Sequence, residues 1–232
     1  MKSNKSVSLF LTVIFIFSIV AFASGASTKP QPQTKKSTTG AVPSPKFLKE
    51  KWTGDLDTIQ KKRVIRVLTV QSKMFYFVDK GQPRGLVYEG MKQFEDDLNT
   101  KLKTGNIRIH ALFIPVARDQ LLKGLVDGRG DIAAANITIT PERLKTVDFT
   151  DPTYQNVNEI VLTGPESPQV VSIDDLSGKE VYVRKSSSYY ESLVSLNERF
   201  KKDGKKEVTL KLAPENLEDE DLIEMLNAGL VK

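Results

Sequence analysis

The chain has 232 residues, 39% of them hydrophobic, with 34 basic and 29 acidic side chains, one histidine and no cysteine. That length holds one large or two small domains, and the missing cysteine excludes disulfides and a lipid-modified N-terminal cysteine. Two lysines fall in residues 1–23 and six in residues 24–51 against Glu50, which leaves 26 basic and 28 acidic side chains in residues 52–232, so the folded part gives no support for a nucleic-acid-binding face.

Met1 to Ala23 has a basic start, an apolar run from Val7 and small residues at Ala21-Phe22-Ala23 or Ser24-Gly25-Ala26, the pattern of a secretory signal peptide. The alternative is an uncleaved anchor, because the run is close to the roughly 17-residue lower limit for spanning a bilayer. Residues 24–51 are rich in Pro, Ser, Thr and Lys and read as a disordered tether with solvated lysines.

Val64 to Val70 is a buried strand by composition, followed by Met74-Phe75-Tyr76-Phe77, an aromatic cluster able to wall a pocket or to join the core, and by turn chemistry at Asp79-Lys80-Gly81-Gln82-Pro83. Val87, Met91, Phe94, Leu98 and Leu102 have helical spacing; Ile107, Ile109, Ala111 and Phe113 alternate as a strand; Leu121, Leu122 and Leu125 mark a second helix. Strand, helix, strand, helix, strand predicts a parallel sheet with right-handed crossovers, whose ligands bind beyond the carboxyl ends of its strands.

The strand Ile132 to Ala135 empties through Asn136 and Thr138 into a helix start, with Thr140 as N-cap, Pro141 in the first turn and Glu142 complementing the dipole. Arg143 adds a planar guanidinium that can hold a carboxylate with two hydrogen bonds. A purely structural reading pairs Arg143 with Glu142 or Asp148 instead. Glu159 to Thr163 reads as a strand leaving this unit at a hinge. A second unit opens at Ser172, with a strand Val181 to Val183 and a helix led by Ser186-Ser187-Ser188, where Ser188 and Glu191 read as a capping box. A strand over Val208 to Leu212 and a helix over Leu217 to Asn227 follow.

The segments Arg66-Val67-Leu68-Thr69, Gly81-Gln82-Pro83-Arg84-Gly85-Leu86, Thr138 to Arg143 with Val147 to Pro152, and Leu176-Ser177-Gly178-Lys179 match, in order and spacing, the extracellular solute-binding proteins of family 3. Within that family the chain resembles the binding domain of membrane-bound lytic murein transglycosylase F. The resemblance implies an α/β, two-lobed periplasmic-binding-protein-like fold with mostly parallel sheets and an incomplete second lobe. The lobes are residues 52–157 and 158–232, and the second is expected to be cut short. It implies an exported protein of the periplasm or cell envelope, without catalytic residues or cofactor. Such a protein binds an amino acid or a muropeptide-like small molecule and serves a membrane permease of an ABC importer. Arg143, Thr138 and Asn136 would face the ligand from the first lobe, Ser187 and Ser188 from the second, and Phe75 or Tyr76 would pack on its body. The other implied role is ligand sensing for a murein-cleaving enzyme.

Little points to catalysis. His110 is alone in an alternating strand, and the Gly124, Gly128 and Gly130 series precedes a strand rather than opening a helix. Glu215, Glu218, Asp219, Glu220, Asp221 and Glu224 sit at neighbouring positions that circle a helix, which predicts a solvated face.

Overall fold

A computed structural model describes residues 50–165, 167 and 169–231. The predicted signal segment, and the predicted tether apart from Glu50 and Lys51, lie outside the described residues. The first unit is a parallel three-stranded sheet in the order β4-β1-β5, with β1 at Val64–Thr69, β4 at His110–Pro115 and β5 at Ile132–Ala133. β1 occupies the centre because it is apolar on both faces: Ile65 and Val67 pack with Ile109, while Leu68 and Val70 pack with Leu121 and Ala135. Helix α1 (Leu56–Lys62) precedes β1. It is short and its apolar residues are few, so no periodicity announced it; Asp55 caps its start and Arg63, at φ 58°, ends it.

Helix α2 (Leu86–Lys101) follows the predicted register, but its two fully buried residues are Glu95 and Asn99, whereas Phe94 is exposed. The reason lies in the sheet. β4 is an edge strand, and its outward backbone groups need partners. Asn99 Oδ1 accepts from Ile109 N and its amide donates to Ile109 O, both at 2.8 Å, and Glu95 accepts from Ala111 N at 2.7 Å. The helix therefore closes the sheet edge with polar side chains.

Between β1 and α2 the chain makes an antiparallel hairpin of β2 (Phe77–Asp79) and β3 (Gln82–Arg84), turned by Lys80 and Gly81 at φ 48° and 80°. Gly85, at φ 118°, has no room for a side chain, since a Cβ there would lie 2.3 Å from Phe75 O. The next two amides, Leu86 N and Val87 N, donate to Met74 O and Phe75 O. The amino end of α2 thus fixes the loop that carries Phe75. Helices α3 (Leu121–Val126) and α4 (Pro141–Leu144) complete this unit, with Thr140 capping α4 and Pro141 in its first turn as predicted.

The second unit pairs β6 (Glu180–Arg184) with β7 (Thr209–Ala213) in parallel and adds α5 (Ser188–Lys202) and α6 (Asp219–Asn227). Its core is Leu176, Val183, Leu193, Phe200 and Val208. Glu159 to Thr163 is not a strand: among the described residues it has no ladder partner, and Ile160, Val161 and Leu162 are exposed. β propensity without a neighbouring edge yields only an extended chain.

Candidate functional site

The carboxyl ends of β1, β4 and β5 lead into the loops that form one wall of a cleft. The amino end of α5 and the loop before α6 form the other. The cleft has a cavity of about 190 Å³, and the first wall supplies Phe75, Arg118, Asn136, Thr138 and Arg143, the second Arg184, Ser186, Ser187, Ser188, Tyr189 and Asp219.

Arg143 is mostly covered, at 12% exposure of its side chain. Its Nη1 donates to Thr138 O at 3.0 Å, and its Nη2 donates to Ser186 O at 3.0 Å and lies 3.2 Å from Glu191 Oε1. It pairs with neither Glu142, which holds Lys145, nor Asp148. The guanidinium crosses the cleft. Ser188 Oγ donates across it as well, to Thr138 Oγ1 at 3.2 Å.

The predicted capping box at Ser188 and Glu191 is not formed. Ser187 is the N-cap, its Oγ accepting from Tyr190 N and donating to Arg184 O, and Ser188 is the first helical residue. Glu191 reaches Arg143 rather than the backbone, because that cation across the cleft is the stronger partner for a carboxylate. Of the two aromatic candidates, Phe75 lines the cavity. Tyr76 instead stacks on Phe113, with ring centroids 5.3 Å apart, and tilts against Tyr88; burial raises its phenol pKa.

Three charged residues of the cleft, Arg118, Arg184 and Asp219, were not among the predicted site residues. Arg118 Nε donates to Glu218 at 3.0 Å, its Nη2 also donates to Glu218, and its Nη1 donates to Ala135 O at 3.0 Å. Arg184 is almost wholly buried, with Nη1 donating to Leu217 O at 2.7 Å and Nη2 to Asp219 at 2.5 Å. Asp219 Oδ2 accepts weakly from Tyr189 OH, and burial together with this carboxylate raises the Tyr189 pKa. Arg118 was findable from topology, since it follows the carboxyl end of a strand in a parallel sheet just as Arg143 does.

Apart from the exposed Glu224, the acidic run is not a solvated face. Glu215 accepts from Ser186 N and Oγ, Glu218 from Arg118, Asp219 from Arg184, and Glu220 from Ser72 Oγ at 2.5 Å. Asp221 caps Glu218 N, and Glu224 accepts from Lys73 Nζ at 2.6 Å. The residues do circle the helix, but α6 begins inside the cleft, so each side of it meets a different donor. Among the described residues, no group of His, Asp and Glu stands ready to hold a metal ion, and no helix is long and apolar enough to cross a membrane.

Residues 65–232 match the model of the bacterial extracellular solute-binding proteins, family 3. The chain belongs to this family. Among relatives of this solute-binding protein, the membrane-bound lytic murein transglycosylase F of Aliivibrio fischeri is 30% identical over 148 residues, which are 62% of this chain and 28% of that enzyme. The chain thus spans less than a third of the curated relatives it matches. Two solved structures share the fold. An ancestral amino-acid-binding protein, a precursor of cyclohexadienyl dehydratase, is 27% identical with a TM-score of 0.51 over 76% of this chain and 70% of that one. An ancestral arginine-binding protein bound to arginine is 24% identical with a TM-score of 0.54 over 73% and 67%. Those neighbours are amino-acid-binding proteins, and the family's members are extracellular.

Proposed function

We propose that this chain is an exported solute-binding module, without catalytic activity of its own, that captures an amino acid or a small peptide-like carboxylate between lobes formed by residues 52–157 and 158–232. It would hand that solute to the permease of an ABC importer. The supporting observation is Arg143: a guanidinium anchored to Thr138 O on its own side and directed across the cavity at the Ser186–Ser188 turn. Guanidinium carries five N–H donors, and three contacts are occupied by protein groups here. A solute carboxylate would replace the contacts to Ser186 O and Glu191, gaining two parallel charge-assisted hydrogen bonds. Thr138 and Ser188 supply hydroxyls beside it, Ser187 holds the turn, Asn136 borders the cavity and Phe75 packs on the solute body.

A second reading is favoured by the relatives that are transglycosylases: a ligand-sensing domain that answers to wall-derived peptides. A thermal-shift screen of single amino acids and purified muropeptides separates the two. A solute present at a hundred times its Kd stabilises the folded state by about 2.7 kcal/mol, which is readable as a rise in Tm. Arg143→Ala removes the clamp, and the rise is expected to vanish. A rise that survives this substitution removes Arg143 from the site.

A further inference from the structure

Helix α6 holds three acids that reach residues of the first unit. Its N-cap, Glu218, is a carboxylate with only 2% exposure, and it accepts from both Nε and Nη2 of Arg118. Glu220 accepts from Ser72 Oγ, and the same hydroxyl accepts from Met74 N at 3.1 Å and Phe75 N at 3.2 Å. Ser72 therefore shapes the turn that presents Phe75 and ties that turn to α6. Glu224, one helical turn further, meets Lys73. Ser72 and Lys73 follow β1 and Arg118 follows β4, so one helix grips two adjacent strand ends.

We infer that Glu218 is a positioning residue of the cleft: it sets Arg118 in the wall, and with Glu220 and Glu224 it clasps α6 onto the loops carrying Phe75 and Arg118. Both halves of every contact in this clasp are protein groups, so a solute adds to the closure and does not create it. Glu218 is also the member whose loss strands a charge. The Arg118 guanidinium, at 13% exposure of its side chain, has Glu218 as its counterion, and without that carboxylate it must be hydrated, which requires the cleft to part. The solute-binding role of that cleft rests on the function proposed above; the clasp itself does not.

The test is small-angle X-ray scattering of the protein with no solute added. Glu218→Gln removes the charge with little change of shape, and the radius of gyration is expected to rise while the far-UV circular dichroism stays native. Exchanging the charges with Arg118→Glu and Glu218→Arg together should bring the compact form back. Lys73→Glu sets two like charges against each other at an exposed position where folding is not at risk, and it is expected to expand the molecule too. An unchanged radius in natively folded Glu218→Gln, or in Lys73→Glu should the former fail to fold, overturns the inference. If no compound shifts the melting temperature, the solute site fails while the scattering result still decides the clasp.

Discussion

Arg66 is the largest fully buried side chain among the described residues, and everything around it is arranged to satisfy a cation away from water. Its Nη2 and Nε reach Asp131 at 2.8 and 3.2 Å, its other donors go to the carbonyls of Glu50, Trp52 and Gly128, and its guanidinium lies 3.4 Å over the Trp52 ring. Asp131→Ala would strip the charge of its counterion and is expected to cost about 3–5 kcal/mol, measurable by urea denaturation. A loss below 1 kcal/mol would mean that water reaches the cation. Such a network illustrates what a sequence conceals. Arg66 stands inside an apolar run, and its partner is 65 residues away, so no spacing relates them. The Thr140, Pro141 and Arg143 arrangement was readable because N-cap chemistry acts within four residues. Arg143's real partners, Ser186 and Glu191, lie beyond that range. Arg184 and Asp219, 35 residues apart, escaped for the same reason.

At the level of elements, α2 shows how a helix predicted from its apolar stripe can be held by polar residues. Glu95 is buried against Ala111 N, Lys92 and His110. Burial pushes its pKa up, but the Lys92 contact and the Ala111 amide outweigh this and hold it below the usual 4.5. A depressed carboxylate stabilises the fold above its unfolded pKa, and that contribution is lost as pH falls through the folded value. Melting temperature is therefore expected to drop below about pH 4.5, and Glu95→Gln should make the drop shallower; an identical acid limb in the variant would locate the sensitivity elsewhere. The apolar stripe itself was legible, as were β1, β6, α5 and the placement of hydroxyls at the start of α5. The Glu159–Thr163 error and the acidic-run error share a cause. Local pattern reports what a segment prefers, whereas a strand needs a second edge and a carboxylate takes whichever donor the fold brings to it.

For the molecule as a whole, the two units differ in how much core supports them. Among the described residues, the first has a sheet covered on both faces; the second rests on two strands and one cluster that includes Phe200, which has no measurable exposure. Phe200→Ala is expected to cost about 3–5 kcal/mol and to act unevenly. Amide hydrogen exchange should accelerate across α5, β6 and β7 while β1 and β4 keep their protection. Uniform acceleration over both sheets would show that they unfold as one cooperative body, with the α6 contacts strong enough to couple them.

The packing of Trp52 on Arg66 has a mechanical side. Trp52 N donates to Gly128 O just ahead of β5, at the amino-terminal ends of the strands, whereas Phe75, Arg118 and Thr138 follow their carboxyl-terminal ends. A load applied to the backbone at Glu50 would enter the first sheet at its central strand, through the Trp52–Arg66 contact. That attachment lies at the opposite end of the sheet from Phe75, Arg118 and Thr138.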